Sequence, residues 1–165
     1  MELENRAVKE TYIKLLADTF IKKSKVLGEL LVLTKAQETL IATDDFDEEQ
    51  FLELISKKEE EIQILNQLDE GFERLYDRVR DEIFESKEKY QAEIMQLKEL
   101  IVRVTDTSVQ LQVIEKRNKV RLETYFSNRR RDIKSSRMSN KTVASYYKTM
   151  SQGQDTPSFF YDKKN

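Results

Sequence analysis

Residues 46–83 read FDEEQFLELISKKEEEIQILNQLDEGFERLYDRVRDEI, and the fold follows from how this stretch is read. Ile55, Ile62, Asp69, Tyr76 and Ile83 recur every seven residues, and Leu65, Phe72 and Val79 form a second row beside them. That spacing puts both rows on one face of a helix, as in a coiled coil or a helical bundle. Glu, Lys, Arg and Gln fill the other faces. A helix of this kind draws most of its stability from packing its apolar face. The rest of the chain must therefore supply what the seam packs against.

Composition points the same way. The 165 residues include 3 Gly and 1 Pro, and 36% are charged. Few breakers, many charges and periodic Leu and Ile indicate long helices rather than sheets. There is no Cys and no His. Disulfides, thiolate chemistry and the commonest metal ligand and neutral-pH proton carrier are thereby excluded. The longest apolar run, Leu30 to Leu33, is far too short to span a bilayer. The opening MELENRAVKE is too polar for a secretory signal. The expectation is a soluble, cytoplasmic protein with no direct membrane insertion.

The net charge of −2 conceals an asymmetry. Residues 127–165 hold nine Lys/Arg against three Asp, a net +6, so the remainder carries −8. The Arg129–Arg130–Arg131 run is the strongest nucleic-acid signal. A single basic cluster at a helix end also suits the helix dipole, and no nucleic acid is expected as a partner.

Upstream of the central stretch, a first helix is expected over about 4–42. Ile13, Phe20, Leu27 and Ile41 share a seven-residue row, flanked by Leu16 and Leu30, with Val26, Leu31 and Leu33 widening the face. Gly28 lies inside it, and a close helix contact is the expected reason. ATDDFDEEQ (42–50) breaks the pattern. Asp47 with Gln50 three residues on resembles a capping box, and Phe46 can staple against Phe51.

Helix two is expected over 48–84. Its first row runs on through Tyr90, Leu97, Val104, Leu111, Asn118 and Tyr125, while the second fails at Ser86 and Glu93. A break within Glu85–Lys89 is expected, with Ser86 as an N-cap, and helix three over 88–133. Its seam is polar at Thr105, Thr107, Ser108 and Asn118, and polar seam residues fix register. The expected architecture is all-α: an antiparallel bundle of three long helices in a domain spanning 1–135. A flexible basic tail, 136–165, carries aromatic pairs at Tyr146–Tyr147 and Phe159–Phe160.

No enzyme constellation is present. Gly28, Gly71 and Gly153 are isolated, so no phosphate loop forms. Nucleophile–base pairs built on His or Cys are impossible. No catalytic residue, cofactor or metal is expected. Asp69, alone on the apolar seam, is expected to pair with a Lys or Arg or to lie in a polar layer.

Long stretches of the chain resemble the FlgN family of flagellar export chaperones. YIKLLADTFIKKSKVLGELLVLTKAQETLIATDDFDEEQFLELISKKEEEIQIL looks like the family's first helix, acidic turn and second helix, with a Lys-Glu step at Lys58–Glu59. QLQVIEKRNKVRLETYF is similar to its third helix, where Asn118 and Leu122 match an Asn before an apolar step. ASYYKTMSQGQDTPSFFYDKKN looks like the tails of Gram-positive members. The resemblance implies a protein that binds C-terminal helical segments of hook–filament junction proteins, holds them back from assembly and delivers them to the export gate membrane protein. It also implies that the end of helix three contacts cargo and that a tail tyrosine, Tyr146 or Tyr147, contacts the gate.

Chaperoning an amphipathic segment requires an exposed apolar face and a part that orders on binding. Leu122, Tyr125, Phe126 and Ile133 are the expected cargo face, with Asn118 beside it and Tyr146, Tyr147, Phe159 and Phe160 closing over. Two alternatives share the same patterning. One is a scaffold that forms a homodimer through the 55–125 seam. The other is an export chaperone for filament or cap cargo.

Overall fold

A computed structural model describes residues 2–128 and 144–148, with side chains from residue 7 onward. It contains three long helices: α1 (Glu2–Ile41), α2 (Glu48–Glu85) and α3 (Gln91–Asn128). Residues 144–148 form one further helical turn. The all-α reading and the two breaks hold. None of the described helices is long and apolar enough to cross a membrane.

Asp47 caps α2 as its sequence requires. Its backbone is extended (φ −71°, ψ 103°) and its side chain accepts the Gln50 N–H. Glu48 and Glu49 place negative charge on the first turn, where the helix dipole favours it. The Phe46 and Phe51 rings meet with centroids 5.7 Å apart, so the turn is stapled by the two aromatics that flank the cap.

The second break falls at residues 86–90, one residue later than expected at its far end. Ser86 acts at the opposite helix end from the one anticipated. It is the C-cap of α2, its N–H donating to the Glu82 carbonyl at 3.0 Å. The Lys89 and Tyr90 N–H groups then donate to the Ser86 carbonyl, and the Tyr90 carbonyl accepts the first bond of α3 from Ile94 at 2.8 Å. A serine between two helices can serve either end, and here the turn claims its backbone. Ile83 and Tyr90, on the two sides of the turn, are both buried. The seven-residue row therefore continues across the turn because α2 and α3 each present it to α1. A single continuous rod from 48 to 125 is not formed.

Pairings along the helices fix the topology. Lys9 meets Glu82 and Lys23 meets Asp69, so α1 and α2 are antiparallel. Glu10 meets Lys89 at one end and Glu38 meets Arg117 at the other, so α1 and α3 are parallel. α1 packs closely on both partners, whereas among the described residues no Cα of α2 lies within 8 Å of a Cα of α3. α1 is thus the floor of a groove whose walls are α2 and α3. The core runs along it through Ile13, Leu16, Leu27 and Leu30 of α1, Ile62, Leu65 and Val79 of α2, and Val104, Leu111 and Leu122 of α3. Phe20 and Phe72 meet edge to face at 4.5 Å. Each fully buried aliphatic side chain contributes about 1.5–3 kcal/mol relative to exposure.

The close approach expected at Gly28 is absent. A Cβ built there would meet nothing within 4 Å, so no neighbour explains the glycine.

Candidate functional site

Among the described residues, eight polar or charged ones are buried in the bundle: Lys23, Thr34, Gln37, Lys58, Asp69, Ser108, Glu115 and Asn118. Every one falls on a seven-residue row. Lys23 and Gln37 share the row of Leu16 and Leu30, and Thr34 fills the row of Ile13, Phe20, Leu27 and Ile41. Lys58 lies between Phe51 and Leu65, and Asp69 between Ile62 and Tyr76. Ser108 and Glu115 continue Ile94 and Ile101 toward Leu122, and Asn118 follows Leu111. All of them except Ser108 form two layers.

In the first layer Lys23 of α1 donates to Asp69 of α2, both side chains only 7% exposed. Asp69 thus has the lysine partner anticipated for it.

The second layer draws on all three long helices. Lys58 of α2 is fully buried, and its Nζ donates to Glu115 Oε1 of α3 and, at 2.8 Å, to Gln37 Oε1 of α1. The Thr34 hydroxyl lies 2.7 Å from the Leu30 carbonyl and 3.1 Å from Glu115 Oε1, and its one hydrogen serves them in turn. Asn118 Nδ2 donates to the Thr34 carbonyl at 3.3 Å.

The layer is closed from outside the helices. Tyr146, in the turn at 144–148, is 1% exposed. Its hydroxyl donates to Glu115 Oε1 at 3.1 Å, and its ring centroid lies 4.8 Å from Lys58 Nζ. The Tyr147 ring stands edge to face on it at 5.0 Å. Because α1 is packed on both neighbours, the tyrosine enters between α2 and α3, whose backbones stay apart.

Electrostatics match this enclosure. Burial pushes the Lys58 ammonium down to about 8, against the opposing charge and hydrogen bond of Glu115. Burial, then the Glu115 charge, raises the Tyr146 phenol well above its usual value. Tyr147 is raised in the same direction, by burial and then by Glu115 and Glu123. A lysine lowered in this way can mark catalysis. Here its ammonium is held by a carboxylate, an amide and an aromatic face, which fixes position and leaves no lone pair presented to a substrate.

The expected partner-binding residues divide by burial. Asn118 and Leu122 are fully buried, Tyr125, Phe126 and Tyr147 are half-buried, and Tyr146 is buried. Tyr125 packs on Phe46 at 4.6 Å and donates to Glu48, tying α3 to the first turn. Ile133, Phe159 and Phe160 lie outside the described residues.

Two surface features join this inventory. Met95, Val102, Val109, Val113 and Val120 of α3 are each more than half exposed. At 3.6 residues per turn they fall within roughly a 40° arc, a line about 38 Å long. The seven-residue step from Met95 to Val102 to Val109 is its sequence signal. The second feature is a cavity of about 340 Å³ between α2 and α3 near the second turn. Phe20 forms its floor, with Tyr76 and Phe84 on one wall and Ile94 and Leu97 on the other.

No family model matches the chain, nor does any curated protein or solved structure.

Proposed function

We propose that this chain is a FlgN-type flagellar export chaperone. In this reading it works in the cytoplasm, binds C-terminal helical segments of hook–filament junction proteins, and hands them to the export gate membrane protein. The observation that carries the reading is the Met95–Val120 stripe. A straight apolar line about 38 Å long on a single helix fits one amphipathic helix of about 25 residues, read through spaced anchors. Five exposed apolar side chains aligned on one helix face give an incoming helix regularly spaced anchors.

The stripe moves the cargo face relative to the sequence-based expectation. Leu122 is inside the core, and cargo could reach it only if the bundle opened. Val109, Val113 and Val120 are available without any opening, and the half-buried Phe126 adjoins that end of α3. A gate contact through a tail tyrosine is served first by the half-buried Tyr147, because Tyr146 would have to leave the Lys58–Glu115 layer.

The test is capture of junction-protein C-terminal peptides by the full chain. Val109→Glu with Val113→Glu should weaken capture tenfold or more while far-ultraviolet circular dichroism stays unchanged. Undiminished capture by a folded double variant would refute the stripe as the cargo face. The same seven-residue step also suits a second copy of the chain as a coiled-coil dimer. Sedimentation of the free protein separates the readings: a monomer favours the chaperone, an elongated dimer the scaffold.

A further inference from the structure

We infer that the exposed face of α3 accepts a helix of defined charge from another protein, one that sets a basic residue opposite Glu99, a second opposite Asp106 and an acidic residue opposite Lys116. The inference rests on the proposed reading of this face as the cargo site, and adds the chemistry of the segment it takes.

The apolar stripe is part of a longer seam. From Met95, alternating steps of four and three residues pass through Glu99, Val102, Asp106 and Val109. They continue through Val113 and Lys116 to Val120. Such alternation is the pattern by which one helix contacts another. The apolar members are each more than half exposed, and Glu99, Asp106 and Lys116 are exposed as well. The contact line of about 38 Å therefore carries five apolar anchors and three charges.

The bundle makes no use of those charges. Among the described residues, the ion pairs of α3 join Glu115 to Lys58 and Arg117 to Glu38. None involves Glu99, Asp106 or Lys116. A helix seated on the seam takes all three out of water, and a charge desolvated without a partner is costly. An occupant with opposite charges at these places is therefore favoured, and one with like charges is rejected.

A second copy of the chain meets this demand poorly. Aligned in parallel, it sets each of the three charges opposite itself. Aligned antiparallel, with Met95 opposite Val120, it sets Glu99 opposite Lys116. The same alignment leaves Asp106 of both copies opposite Val109. A separate helix with a base at that place pairs all three.

Two synthetic helices of about 25 residues with one leucine seam test this. The matched helix carries lysine toward Glu99 and Asp106 and glutamate toward Lys116, and the other carries the reverse. Each is made in both chain directions. At low ionic strength the full-length protein should bind the matched helix roughly tenfold or more tightly than the reversed one. Combining Glu99→Lys, Asp106→Lys and Lys116→Glu, all exposed, should invert that preference while circular dichroism stays unchanged. Equal binding of both helices, each weakened by Val109→Glu with Val113→Glu, would overturn the charge rule and leave the face as the cargo site. No binding by either helix, or binding that the two valine substitutions do not weaken, would refute the rule and the cargo face together. A free protein that sediments as a dimer, and as a monomer after the triple substitution, would assign the seam to a second copy and overturn the inference.

Discussion

Among the described residues two lysine–carboxylate pairs lie in the core of this bundle, and they differ in what completes them. Lys23 and Asp69 join α1 to α2, which pack directly on each other. Lys58 and Glu115 join α2 to α3 across the open side of the bundle, and their enclosure includes Tyr146 from beyond the end of α3. The first pair acts as a register pin between two helices that are already close. The second acts as a socket whose lid is a separate segment. Buried ion pairs contribute little net stability compared with apolar replacements, but losing one partner is costly. Both pairs therefore specify an arrangement: one fixes how α1 and α2 align, the other holds α2, α3 and the tail in one geometry.

Deleting a carboxylate is the strongest way to break this comparison. Asp69→Ala and Glu115→Ala should each cost about 3–5 kcal/mol, because each strands a buried ammonium, as read from urea midpoints. Only Glu115→Ala should also free the 144–148 turn, seen as faster proteolysis after Lys148. By contrast, Lys58→Met with Glu115→Leu should cost less than Glu115→Ala alone, since no ammonium is stranded, with the remaining loss set by the buried Tyr146 hydroxyl and Gln37 carbonyl that lose their partners.

The next effect is on pH. The Lys58 pKa is lowered from 10.5 to about 8 by burial, so between these values the unfolded chain binds more protons than the folded one. Stability should then rise with pH from about 8 upward, by up to roughly 3 kcal/mol. Tyr146 and Tyr147 have the opposite sign. Their folded values are raised, so stability falls above pH 10, where the unfolded tyrosines ionise first. A maximum near pH 10 is expected in chemical denaturation, where the rising lysine limb meets the falling tyrosine limb. The Lys58→Met, Glu115→Leu double variant should lose the rising limb.

Much of this arrangement is legible in the sequence, and the rest fails for identifiable reasons. The heptad rows locate the three helices because burying one face demands that period. The same rows mark all eight buried polar residues as polar members of otherwise apolar rows. Asp69 stands out on a row that was traced in full. Lys58 is not legible as a buried residue because its row is traced only from Leu65 onward. What the rows cannot supply is the pairing. Whether Lys58 faces Glu115 or another acid depends on the relative shift of three helices, which no single helix encodes. Tyr146 is harder still, since residues 129–143 separate it from α3 and carry no register. Gly28 was misread because a glycine in a helix leaves no sign of whether a neighbour approaches.

Smaller substitutions sharpen the contrast. Tyr146→Phe removes one hydrogen bond to a charged carboxylate and should cost about 1.5–3 kcal/mol, with no change in the α1–α2 pairing reported by Lys23 and Asp69. Gly28→Ala, where a Cβ meets nothing within 4 Å, should stabilise the chain by about 1 kcal/mol through helix propensity alone. That gain should be the same with or without the tail.

The central claim is that Tyr146 and Glu115 form one unit while Asp69 stands apart. A double-mutant cycle measures this directly, using Tyr146→Phe combined with Glu115→Ala and, in parallel, with Asp69→Ala. Coupling of about 0.5–3 kcal/mol is predicted for the Glu115 cycle, and additivity within about 0.5 kcal/mol for the Asp69 cycle. Additivity in the Glu115 cycle would contradict the account, because the tail tyrosine would then be no part of the layer it closes.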